Sequence, residues 1–199
     1  MDVPYRQIRA AYDDDTVTVY QAYPAEIALR ALAAGRFRPP FKRTRMTWIK
    51  PSFLWMMYRS GWATKPGQEH VLAVTLRRDG FEWALANACL SHYDAALYPD
   101  QAAWTSATHE SPVRVQWDPE RSLRLQPLPH RSLQVGLGGE AATRYADDWI
   151  TGLADVTELA QTIRAHVSAG DDQAAAALLP PEKPYPLPKP VADRIGATA

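Results

Sequence analysis

The chain has 199 residues, 46% apolar and 22% charged, with no net formal charge, as in a water-soluble globular protein able to bury a substantial core. No apolar run approaches the ~20 residues that cross a bilayer, so no membrane partner is expected. The N-terminus lacks the pattern of a secretory leader, and the lone Cys89 excludes both an internal disulfide and a thiolate metal cluster. A reducing cytoplasm suits that single thiol, so the expected location is cytoplasmic.

In chain order, residues 1–15 read as a short lead-in. Thr16–Tyr20, β-branched and aromatic, predicts a strand. Pro24 suits a first helical position, and Ile27, Leu29, Ala31 and Leu32 carry a helix to Gly35. Arg36–Arg45 is a basic connector holding Pro39-Pro40. Then comes the most distinctive stretch, Thr47–Trp62, with three Trp, a Tyr, a Phe and two adjacent Met alongside Lys50 and Arg59. So much large apolar surface must pack, and its fixed charges cannot enter a dry core unpaired. The pattern predicts a short helix over Phe53–Ser60, closed by Gly61, with a polar edge.

Trp62–His70 reads as a loop and Val71–Leu76 as a central strand. A helix is expected from Asp79 to Leu90, and loop from 91 to 111. Val113–Trp117 alternates strictly, which predicts a strand with Arg114, Gln116 and Asp118 on one face. Leu123 and Leu125 extend the pattern, and Ser132–Leu137 is a further strand. Helices are expected over Glu140–Ile150, Asp155–His166 and Asp171–Leu179. Six prolines between Pro180 and Pro190 predict an extended tail. The organisation is therefore one domain over 1–179 and a tail over 180–199, of α+β class with flanking helices and a helical C-terminal part.

The charge is unevenly spread. Between Glu26 and Glu69 there is no acid but there are nine basic residues, among them Lys42, Arg43, Arg45, Lys50 and Arg59. Such a block implies an anionic partner, a nucleotide or a nucleic acid. Lys42, Arg43 and Arg45, with Trp48 as a stacking ring, are the candidates for nucleic acid. Ser52 at a helix start beside Lys50 is a candidate anion site. Gln21, at the end of a strand, is a candidate cleft residue. The five histidines never fall at metal-pair spacing on one helix, so no metal is expected.

Arg6-Gln7-Ile8-Arg9-Ala10, Val19–Tyr23, Arg45–Trp62 and Gln116–Arg121 resemble a widespread microbial domain family of unknown function over about residues 5–165. More distantly, a strand ending in a polar residue, a helix, a glycine and Lys50-Pro51-Ser52 with Tyr58 beyond resemble the ADP-ribosyltransferase fold. That resemblance implies a mixed or antiparallel sheet core and NAD as substrate. It places Gln21 where the fold carries a ribose-holding His or Arg, and Ser52 and Tyr58 at the nicotinamide. Arg9, Lys50, Arg59, Arg114 and Gln116 would serve NAD, while Asp118 or Glu120 would supply the carboxylate. The expected functions are therefore an ADP-ribosyltransferase-like enzyme modifying nucleic acid, or a non-catalytic module binding single-stranded nucleic acid or a nucleotide. A structural adaptor using the proline-rich tail is a third.

Overall fold

The computed structural model describes residues 3–198. Its first half runs β1 (Arg9–Ala10), β2 (Thr16–Tyr23), α1 (Ala25–Ala34), β3 (Thr47–Ile49), α2 (Phe53–Ser60), β4 (His70–Arg77), α3 (Arg78–Ala86) and β5 (Ala88–Leu90). Next come α4 (Gln101–Glu110), β6 (Val113–Arg121), β7 (Pro127–Leu137), α5 (Gly139–Arg144), a π-helical turn (Tyr145–Trp149) and β8 (Ile150–Asp155). The chain ends with α6 (Thr157–Ala169), α7 (Asp172–Ala177), β9 (Lys183–Pro184) and α8 (Lys189–Ile195).

This is an α+β fold with two principal sheets. One is antiparallel, in the order β2-β4-β8; the other runs β3-β7-β6-β5, with only the β5–β6 pair parallel. Val17 and Val19 on β2 and Val74 and Leu76 on β4 are fully buried, each removing apolar area worth about 1.5–3 kcal/mol. They join Val113, Val115, Val135 and Leu137 of the other sheet in one core. The sheets meet through a single main-chain bridge: Tyr20 N–H donates to Lys50 O at 2.7 Å, and Lys50 N–H to Tyr20 O at 3.2 Å. Beyond it, towards Tyr23, lies a cleft lined by Gln21, Tyr23, Thr47 and Trp48.

The aromatic stretch folds as its spacing implies. Ser52 accepts the Trp55 N–H at 3.1 Å, and Gly61 closes α2 in the left-handed conformation at φ 60°. Phe53, Met56, Met57 and Ser60 form the buried face, with Phe53 set edge-on against Tyr20. Tyr58 and Arg59 face outward.

Several expectations are corrected. The helix expected to reach Leu90 stops at Ala86, because Ala88, Cys89 and Leu90 are all buried and pair as β5 with Val113–Val115. Residues 91–111 contain α4, capped by the Asp100 side chain; none of its residues is buried, so it leaves no apolar periodicity to read. Leu123 and Leu125 lie in the β6–β7 turn rather than a strand, Leu125 with φ 59°. The helix expected to run to Ile150 yields to β8, since Ile150–Asp155 completes the sheet along β4. Of the expected extended tail over 180–199, residue 199 lies outside the described residues, and residues 180–198 pack against the domain. Lys183–Pro184 pairs with Arg9–Ala10, Tyr185 is 4% exposed, and Ile195 of α8 is fully buried. The prolines set its extended path, while Tyr185, Leu187, Val191 and Ile195 supply apolar anchors.

Candidate functional site

Where main-chain pairing between β2 and β3 ends, a side chain takes over. The Gln21 amide donates to Thr47 Oγ1 at 2.7 Å and to the Trp48 carbonyl at 3.1 Å. Its carbonyl accepts the Tyr145 hydroxyl at 2.5 Å. Tyr23 and Thr47 hydroxyls lie 3.2 Å apart. Burial pushes the Tyr23 and Tyr145 phenols upward, so they remain neutral donors. Gln21 thus acts as a splice between β2 and β3, with its polar atoms already engaged with protein.

Against this splice lies a cleft of about 730 Å³. Its lining brings Lys42, Arg45, Lys50 and Arg59 together, opposed by the single acid Glu26 among the lining residues. Trp48 and Phe41 add aromatic walls, and Gln68 and Gln134 add amides. Gly136 is required behind the Trp48 wall: a Cβ there would meet the Met46 sulfur at 2.8 Å and the Trp48 ring at 2.9 Å.

Lys50 is the unusual member. Only 5% exposed, it reaches the Trp48 carbonyl at 3.4 Å and lies 5.2 Å from the centre of the Trp55 ring. Among the described residues no carboxylate forms an ion pair with it. Burial first, and the Arg59 charge second, lower its pKa to about 7; the Asp118 charge opposes them. Asp118 itself is held by Gln116 at 2.8 Å and Gln134 at 2.7 Å.

Of the residues singled out from sequence, Gln21, Lys42, Arg45, Trp48, Lys50 and Arg59 line one cleft. The others sit elsewhere. Ser52 donates to Glu120 at 2.9 Å, and Glu120 also accepts the Arg121 N–H, at the α2 N-terminus. Arg9 meets the Glu182 carbonyl, and the Glu182 carboxylate accepts Phe53 N–H at 2.7 Å. Burial, together with the Glu120 charge, raises Glu182 to about 8. Tyr58 is covered by the Arg121 guanidinium, 3.5 Å from its ring centre. Arg114 turns back to the carbonyls of Thr108 and Ser111 at the end of α4. Arg43 pairs with Asp147 at 2.6 Å.

Sequence reasoning missed Thr47, Tyr23, Glu26 and Gln134 as cleft residues, and Glu182 as a partner of α2. Gln134 could have been found only from the hairpin register that sets it opposite Gln116. Among the described residues no group of three His, Cys, Asp or Glu is placed to hold a metal ion. Likewise, no helix is long and apolar enough to cross a membrane.

Fold and cleft together define an α+β domain with a cationic, aromatic-walled pocket at the junction of two sheets. The chain belongs to the family described as domain of unknown function DUF4291, whose model matches residues 7–185. No curated protein matches it.

Proposed function

We propose that the cleft binds a nucleotide through its phosphates, and that the protein is an ADP-ribosyltransferase-like enzyme using NAD to modify nucleic acid. The observation that carries the reading is the convergence of Lys42, Arg45, Lys50 and Arg59 on one pocket with a single opposing acid. Lys42, Arg45 and Arg59 around a cleft of this size suit a pyrophosphate, because guanidinium and ammonium groups form their strongest hydrogen bonds to phosphate oxygens. Trp48 and Phe41 offer faces for a base. The choice of NAD rests on the sequence resemblance of Gln21, Lys50-Pro51-Ser52 and Tyr58 to the ADP-ribosyltransferase fold.

NAD would supply the ADP-ribosyl group. The bond from ribose to nicotinamide breaks, and a nucleophile on the acceptor takes the ribose carbon and releases its proton. Arg59, Arg45 and Lys42 would hold the phosphates. Glu26, at the rim, is the carboxylate available to face the developing positive charge on the ribose; Glu120 instead faces Ser52. Incubating the pure protein with adenylate-labelled NAD and RNA or DNA tests this. Label on the nucleic acid with release of nicotinamide is expected; no turnover with either polymer would refute the enzymatic reading.

The second reading, a non-catalytic nucleotide or single-strand binder, is favoured by one observation. Gln21 has its amide engaged by Thr47, Trp48 and Tyr145 and so leaves no group to hold a ribose from the first strand. Salt-sensitive binding without NAD consumption would select it.

A further inference from the structure

The chain has five lysines. Lys42, Lys65, Lys183 and Lys189 are exposed, whereas Lys50 is buried beneath the cleft wall and still lines the cleft. A lysine held only to shape a core would have its ammonium paired, since an unpaired buried charge is costly. Lys50 has one long hydrogen bond, to a main-chain carbonyl, and an aromatic ring beside it. The charged groups that act on it are Arg59 from α2, which disfavours its proton, and Asp118 from β6, which favours it but is shared between Gln116 and Gln134. Lys42, Arg45 and Glu26 line the same cleft. A cationic neighbour in a desolvated pocket is the arrangement that converts a lysine into a free amine at neutral pH.

We infer that Lys50 is a nucleophilic amine that condenses with the carbonyl of a phosphate-bearing aldehyde held in the cleft, such as a ring-opened sugar phosphate. The Nζ lone pair forms the new bond to the carbonyl carbon. The two amine hydrogens leave with the carbonyl oxygen as water, giving an imine with no change of oxidation state. Holding the phosphate rests on the anion-binding reading above; the reactivity of the amine does not.

With a pKa of about 7, roughly three-quarters of Lys50 is uncharged at pH 7.5, against about one in a thousand for an ordinary lysine. The test exposes the full chain to pyridoxal 5′-phosphate at pH 7.5, reduces with borohydride and maps the adduct by peptide mass spectrometry. Lys50 should be modified at least tenfold faster than each of the four exposed lysines, and more slowly as pH falls below 7. Label spread over the exposed lysines with Lys50 unmodified overturns the inference. Calorimetry with ATP, run in parallel, separates the two claims. ATP binding without Lys50 labelling sinks the inference and leaves the cleft reading standing. Labelling of Lys50 by both pyridoxal 5′-phosphate and phosphate-free pyridoxal, with no ATP binding, upholds the amine and removes the nucleotide. Lys50→Arg should lose the fast adduct; because mapping on the wild-type chain is decisive alone, the test does not depend on that variant folding.

Discussion

Replacing Lys50 with Met should stabilise the protein at neutral pH, by an amount that vanishes in alkali. In the unfolded chain the amine has its ordinary pKa of 10.5; in the fold, burial and Arg59 lower it to about 7. At about 1.4 kcal/mol per pH unit, keeping this proton in the folded state costs of order 5 kcal/mol below pH 7. Water entering the open cleft reduces that to about 2–5 kcal/mol. The sign follows from proton counts: between pH 7 and 10.5 the unfolded chain binds more protons than the folded one, so stability rises with pH. Lys50→Met, an unbranched apolar side chain of similar length, removes the cost. Its advantage over wild type should be largest at pH 6 and up to about 3 kcal/mol smaller at pH 9.5. Urea denaturation of both proteins across that range measures it, stopping short of tyrosine ionisation. The other titrating groups cancel in the difference. An advantage that does not change with pH would refute the idea of a buried, unpaired amine.

Glu182 should give the opposite trend. Its carboxyl is raised from 4.5 to about 8, so the folded chain binds more protons between those values and stability falls as pH rises. Glu182→Gln should flatten that fall in urea midpoints compared with wild type. Tyr145→Phe removes the donor to the buried Gln21 carbonyl and should cost about 1–3 kcal/mol in the same assay. Ser52→Ala removes the α2 cap and the Glu120 partner, and is expected to cost about 1–2 kcal/mol. Gly136→Ala pushes on Met46 and Trp48; it should weaken ATP binding in calorimetry, and unchanged affinity would mean that the Trp48 wall takes no part.

Much of this protein could be read along the chain. Periodicity revealed β2, β4, β6, α1 and α2, because their burial alternates or repeats at local spacing. The acid-free interval placed the cationic surface, and six residues named from sequence meet at one cleft. What failed locally was decided by distant partners. Ala88–Leu90 has helix-forming neighbours yet becomes strand because β6 offers it a parallel edge. The proline-rich segment is held by Tyr185 and Ile195, whose burial sites are built by α3, β5 and the N-terminal segment. Composition along residues 180–199 contains no trace of that. The division is sharpest in the aromatic stretch. Its sequence alone specified a short helix over Phe53–Ser60, closed by Gly61, with a charged edge, from its apolar mass and the polar residues flanking it. Only the tertiary structure separated Lys50 from Ser52: the β2–β3 bridge turns one into the cleft, while Glu120 draws the other towards the α2 N-terminus. Whether a charge faces a ligand or a neighbour depends on which elements close around it, and no pattern within one segment encodes that.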